Sequence, residues 1–168
     1  CGAWNTLQEA RAETPGTHRF QSLAGAQPVA TLSEIVVAEL PRTPTGQDEL
    51  DRALGGGIVA GGVVLIGGDP GIGKSTLLLA ALDRVAAASG ERPVLYVSGE
   101  ESARQVKLRA DRLGVTARNL QVLAETDATR VLHHAEQLKP AALAIDSIQT
   151  QYLPELQSAP GTVSQIRE

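Results

Sequence analysis

Methionine is missing from all 168 residues, so translation is expected to start upstream of Cys1. Cysteine occurs once, which rules out an internal disulfide framework and leaves nothing that points to an oxidising compartment. Aromatic residues make up only 2% of the chain. Trp4, Phe20, Tyr96 and Tyr152 are therefore the whole stock from which base-stacking contacts could be built, and Tyr96 is expected inside a strand. The longest apolar run lies around Val63, Val64, Leu65 and Ile66, far short of the roughly 20 residues that span a bilayer. No Arg-rich or cleavable leader is legible either, so a cytoplasmic protein with no membrane partner is expected. A net charge of −4 offers no general basic surface to nucleic acid, and any DNA contact must be local.

What is present reads as a folded domain. Apolar residues at 42% with 20% charged are typical of a globular core. Residues 1–27 mix Gly, Pro, Thr and charges without a period, as a linker or the stump of another module does. TLSEIVV brings the first alternating run. In PRTPTGQDELDRALGGG, Thr45 is expected to cap a short helix that carries Asp48 and Glu49 in its first turn and stops at the glycines from Gly55. From Gly62 onward, the strand-like stretches VVLIGG, PVLYVSG, LQVLAE and AALAIDS alternate with the helical stretches STLLLAALDRVAAASG, ESARQVKLRADRLG and ATRVLHHAEQLK. Strands apolar at every position need cover on both faces, and β-α-β alternation needs parallel pairing. A three-layer α/β domain with a mostly parallel sheet is expected over residues 28–168.

The sharpest motif is GGDPGIGKST, which carries G-x-x-x-x-G-K-[ST] as Gly68, Gly73, Lys74 and Ser75 between the strand-like VVLIG and the helical STLLLAAL. This is the context a phosphate-binding loop requires, because its backbone N–H groups must converge on one concavity. Gly68, Asp69, Pro70, Gly71, Ile72, Gly73, Lys74, Ser75 and Thr76 are the candidate nucleotide-binding residues. Glycines at 68, 71 and 73 permit unusual backbone angles and leave no side chain in the way of a phosphate. Lys74 is the candidate for the β- and γ-phosphates of ATP, and the Ser75 hydroxyl for Mg²⁺.

Two carboxylate positions complete the candidate site. AALAIDS ends in Asp146, a position suited to orienting Mg²⁺ through water. Glu100 and Glu101 follow the buried strand LYVSG at the sheet edge where ligands bind in parallel folds. Glu100 is the first candidate for aligning an attacking water and Glu101 the second; the alternative is that both simply charge the first turn of the helix that follows. That helix places Ala103, Val106, Ala110 and Leu113 on one face, with Arg104, Lys107, Arg109 and Arg112 largely elsewhere, either a solvated face or a basic strip for a neighbouring subunit or DNA. His133 and His134 have no further ligand at metal spacing and are expected to be ordinary surface or core residues.

These residues carry a likeness. TGQDELDRALGGGIVAGGVVLIGGDPGIGKSTLLL resembles the RecA-like P-loop ATPases, and GGDPGIGKSTLLL together with LYVSGEESARQVKLRADRLG and AIDSIQTQYLPELQSAPGTVSQIRE resembles the bacterial RadA/Sms family of DNA repair proteins. In that family a four-cysteine zinc module precedes the ATPase, and its last ligand stands in a C-G-x-W-N-T context. Cys1-Gly2-Ala3-Trp4-Asn5-Thr6 matches it. By this likeness residues 1–27 are the remnant of a zinc module and linker, and 28–168 an incomplete RecA-like ATPase domain, truncated at its C-terminus. Cys1 alone cannot hold Zn²⁺, so no zinc is expected here.

The resemblance implies a DNA-dependent ATPase of repair and homologous recombination. Such a protein assembles as a homo-oligomeric ring on single-stranded or branched DNA and drives branch migration beside a RecA-type recombinase. The family's K-N-R-F-G motif and its C-terminal domain similar to the Lon protease fold have no counterpart up to Glu168. This chain is therefore expected to bind ATP·Mg²⁺ and to hydrolyse it weakly. Arg167 is the residue expected to touch DNA, against the alternative that the tail is disordered for want of its following strand. Other functions with the same loop are a signalling or clock-type ATPase that binds protein partners, a P-loop kinase of a small molecule, and a nucleotide-binding fragment with no activity of its own. Acids between the loop and Asp146 favour water over a kinase's acceptor.

Overall fold

A computed structural model describes residues 29, 31–34, 40–156 and 158–162. Cys1, Arg167 and the last three residues of TLSEIVV, Ile35, Val36 and Val37, lie outside the described residues. The chain divides into two units, Cys1–Glu39 and Leu40–Glu168. In the first, the described structure is a 3-10 turn at Leu32–Glu34, where the Thr31 backbone N–H donates to Glu34 Oε2 at 3.2 Å.

The second unit opens with a two-stranded antiparallel ribbon, β1 (Arg42–Thr43) and β2 (Ile58–Val59), whose strands are joined through the short helix α1 (Asp48–Ala53). The glycines from Gly55 follow the end of α1, as expected, but Thr45 is not its cap. Gln47 stands in that position without a side-chain bond. A cap must immediately precede the helix to reach its free N–H groups, and Thr45 is too early for that. It is instead fully buried. Its hydroxyl donates to Asp51 Oδ1 at 2.8 Å and accepts the Gln47 N–H at 3.3 Å. Asp51 also collects the N–H of Thr45 at 2.7 Å and of Gly46 at 3.1 Å. Chiefly through the Thr45 N–H, these bonds hold its carboxyl below the ordinary carboxylate value.

The centre is a parallel sheet of β3 (Val94–Ser98), β4 (Leu120–Ala124) and β5 (Ala142–Asp146) in the order β4-β3-β5. β3 is buried at every residue, as its unbroken apolar run requires when both faces are covered. Side chains alternate between the faces. Val94 and Tyr96 point into a cluster with Leu79, Leu82, Val85 and Ala86 of α2 (Lys74–Ala88) and Val106 of α3 (Ala103–Leu113). Leu95 and Val97 point the other way, onto Val131 of α4 (Ala128–Leu138). Each such buried branched side chain contributes about 1.5–3 kcal/mol before entropy is counted. The expected layers are thus present, two helices on one face of the sheet and one on the other.

Connections are fixed by polar side chains that satisfy backbone groups. The two hydrogens of Asn119 Nδ2 are shared among the carbonyls of Ala86 at 2.9 Å, Gly90 at 3.1 Å and Arg92 at 2.8 Å. Asp83 Oδ1 accepts the N–H groups of Thr116 at 2.9 Å and Ala117 at 2.8 Å. Ser102 and Gln105 form a capping box on α3, and Asp127 caps α4.

One element departs from expectation. Residues 63–67 form no strand, and Val63 is 97% and Leu65 85% exposed. A strand exists through its ladder to a neighbour, and this run pairs with neither outer strand of the sheet. Apolar pattern records a demand for burial, not the partner that meets it. Among the described residues no helix is long and apolar enough to cross a membrane.

Candidate functional site

The loop before α2 is built by its glycines. Gly71 has φ +79° and Gly73 φ +99°, a region in which an L side chain is strained. Gly73 stands at the N-cap of α2, no side chain caps that end, and the first N–H groups of a helix have no intrahelical partners. At Gly68 an added Cβ would lie 3.3 Å from Ile72 Cγ2 and 3.8 Å from Lys74 Cδ, so the loop closes tightly over the lysine stem. Lys74 Nζ donates to the carbonyls of Gly68 and Asp69, each at 2.8 Å. Ser75 follows, half-buried, in the first turn of α2, with Thr76 exposed beside it; Asp69, Pro70 and Ile72 are exposed along the loop. A cradle of backbone donors with one cation is what a polyphosphate needs, and the residues present fit it.

The carboxylates stand at the ends of the parallel strands. Within the sheet Val94 lies opposite Leu120 on one side and Ala142 on the other, so Ser98, Ala124 and Asp146 end level. Asp146 lies on the α2 and α3 face, as does Tyr96, whose hydroxyl donates to Asp146 Oδ2. Burial first, and then this bond to a carboxylate, push the Tyr96 phenol far above its ordinary value. Ser147, next along, donates its hydroxyl to Glu100 Oε1 at 3.0 Å, which brings the exposed Glu100 to the end of β5. Among the described hydrogen bonds, none joins Lys74 or Ser75 to Glu100 or Asp146.

Glu101 differs from its neighbour. Its N–H donates to Ser98 Oγ at 3.0 Å, and its Oε1 meets Arg109 Nη2 at 2.5 Å with both side chains largely covered, 29% and 20% exposed. Arg109 therefore leaves the expected solvated face. Its other terminal nitrogen, Nη1, is buried without a hydrogen-bond partner among the described residues. Lys107 pairs with Asp111, so the basic strip is partly neutralised. On the opposite side of α3, Val106 is buried and Ala110 half-buried, while Ala103 is exposed and Leu113 38% exposed. A cleft of about 260 Å³ opens between residues 98–102 and residues 124–126, apart from the loop. Glu125 accepts the N–H groups of Thr126 at 2.9 Å and Asp127 at 3.1 Å. Those bonds, the one from Asp127 foremost, hold its carboxyl below its ordinary value.

The pairings Tyr96–Asp146, Ser147–Glu100 and Arg109–Glu101 were not read from the sequence. The first left a signal: a lone phenol in an aliphatic strand needs a partner once buried. His133 and His134 are exposed, with their rings 6.0 Å apart. Among the described residues no group of three or more His, Cys, Asp or Glu could hold a metal ion, and the Cys1 expectation falls outside them.

A glycine-built loop running into an uncapped helix that packs on a parallel sheet, with acids at the ends of that sheet's strands, defines a RecA-like P-loop α/β core. The family profile described as an AAA domain matches residues 31–156, and the chain belongs to that family. Over its whole length the chain is 51% identical to the DNA repair protein RadA of Pseudomonas aeruginosa, 46% to that of Bacillus subtilis and 47% to that of Escherichia coli. It spans 37% of the length of each of these curated relatives.

Proposed function

We propose that this chain is the ATP-binding and ATP-hydrolysing part of a DNA repair protein. The observation that carries the reading is the loop of residues 68–73, which turns at Gly73 straight into the uncapped start of α2. Backbone N–H groups there receive the phosphates, and Lys74 exchanges its two carbonyl partners for β- and γ-phosphate oxygens. Ser75 and Asp146 are the residues that would hold Mg²⁺, which when bound neutralises charge on those oxygens. Glu100, exposed and tethered by Ser147, orients the attacking water and accepts its proton. Glu101, ion-paired with Arg109, keeps the strand-to-helix turn in shape and so serves the same step from behind.

The finer reading draws on the RadA relatives and extends to the whole protein. There, hydrolysis is coupled to single-stranded or branched DNA, in a homo-oligomeric ring that migrates branches alongside a RecA-type recombinase. Residues 1–27 belong to a zinc module and linker, and Arg167 contacts the DNA. This chain alone turns over slowly, because such ATPases take a further cation at the γ-phosphate from a neighbour, worth roughly 10³–10⁵ in rate.

The test is ATP hydrolysis and nucleotide binding by the full-length protein, with and without single-stranded DNA. Lys74→Ala is expected to abolish binding. Glu100→Gln should retain binding while kcat falls by roughly 10²–10⁴. Wild-type turnover in Glu100→Gln would remove the residue from its role, and turnover indifferent to DNA would favour a signalling ATPase over a repair one.

A further inference from the structure

Tyr96 is placed where packing alone would be served as well by phenylalanine. It is fully buried in β3 among Val94, Leu95 and Val97, and its ring belongs to the cluster formed with α2 and α3. What the ring alone does not explain is the hydroxyl. Across the sheet Tyr96 lies opposite Ala144, the smallest chiral side chain, so the space over β5 is left to the phenol. The hydroxyl reaches two residues along the neighbouring strand and donates to Asp146 Oδ2. Of its remaining surroundings, the Glu101–Arg109 pair supplies the nearby charges, one of each sign.

A carboxylate at the end of a strand rotates freely about its last torsion, which is broad and two-fold rather than staggered. It has two equivalent oxygens, whereas the proposed task of Asp146 needs one of them held in one direction. A donor fixed by its own burial supplies that restraint, as partners of metal-site carboxylates do generally. We propose that Tyr96 is a positioning residue for the Mg²⁺ site: its hydroxyl occupies Asp146 Oδ2, fixes the plane of the carboxylate and leaves Oδ1 as the acceptor for metal-bound water. The inference rests on the reading of Asp146 given above.

The test is Mn²⁺ binding, followed by electron paramagnetic resonance, to the full-length protein saturated with a non-hydrolysable ATP analogue. Three variants are compared with the parent: Tyr96→Phe, Asp146→Asn and Val94→Ala, the last loosening the same core layer while keeping the hydroxyl. Tyr96→Phe is expected to raise the half-saturating Mn²⁺ concentration roughly 10-fold without changing metal-free analogue binding. Val94→Ala should lower the melting temperature and leave the metal midpoint in place. An unchanged midpoint in Tyr96→Phe beside a raised one in Asp146→Asn overturns the inference alone. An unchanged midpoint in Asp146→Asn overturns the reading of Asp146 and the inference with it. An equal rise in Val94→Ala also overturns the inference, because packing rather than the hydroxyl would then set the site.

Discussion

β3 and the segment just before the phosphate-binding loop are built from nearly the same residues and have opposite fates. Val94, Leu95 and Val97 are shut between helices, while Val63 and Leu65 stand almost fully in solvent. The difference is not apolarity or β-branching, which the two share, but neighbours. β3 has a parallel strand on each side and helices over both faces. The 63–67 segment has a loop after it and no ladder. Burial of a strand is thus a property of the layer it joins, and the same four or five residues are worth several kcal/mol in one setting and almost nothing in the other.

The sharpest way to break this comparison is a matched pair of leucines. Leu95→Ala is expected to cost about 2–5 kcal/mol, the usual range for a core leucine. Leu65→Ala should stay within about 0.5 kcal/mol, as exposed positions do. Urea unfolding measures both, and equal losses would mean that the 63–67 segment is buried in solution after all. A smaller effect is expected at the end of β3. A Cβ on Gly99 would lie 1.7 Å from Thr150 Oγ1 and 2.7 Å from Thr150 Cβ, so Gly99→Ala must push β3 and the turn after β5 apart, at a cost of about 1–3 kcal/mol. Full stability in that variant would show that Gly99 and Thr150 are not packed this closely.

The mildest test uses acid. Glu125, just past β4, is held below its ordinary value of 4.5 by the N–H groups of Asp127 and Thr126. A depressed carboxyl contributes stability that is fully present above the unfolded value and is lost as pH falls through the folded one. Unfolding of the parent should therefore become easier below pH 4.5, and Glu125→Gln should flatten that part of the profile. An identical acid limb in both proteins would show that those N–H bonds do not hold the Glu125 carboxyl low.

How much of this was legible depends on range. α2, α3, α4 and the three strands of the sheet follow from patterns within about a dozen residues, and the loop from a motif whose spacing is itself the mechanism. Thr45 does not cap α1, because the residue that collects the local N–H groups is Asp51, six positions on. The bond from Tyr96 to Asp146 spans 50 residues and exists only once β3 and β5 take their register. Which of two adjacent acids is ion-paired was hidden for the same reason: Arg109 claims Glu101 from the second turn of α3. Local chemistry could nominate the acids, and only packing could separate them.

The level ending of the three strands has a consequence for how the sequence can change in length. A residue inserted in the turns before β4 or β5 alters a surface connection and leaves the rim as it was. A residue inserted within Ala142–Asp146 turns every following side chain to the opposite face. Asp146 would then point toward the α4 layer, away from the helix that carries Lys74 and Ser75. Insertions and deletions should therefore accumulate at one end of this sheet and be excluded from the strands that feed the other.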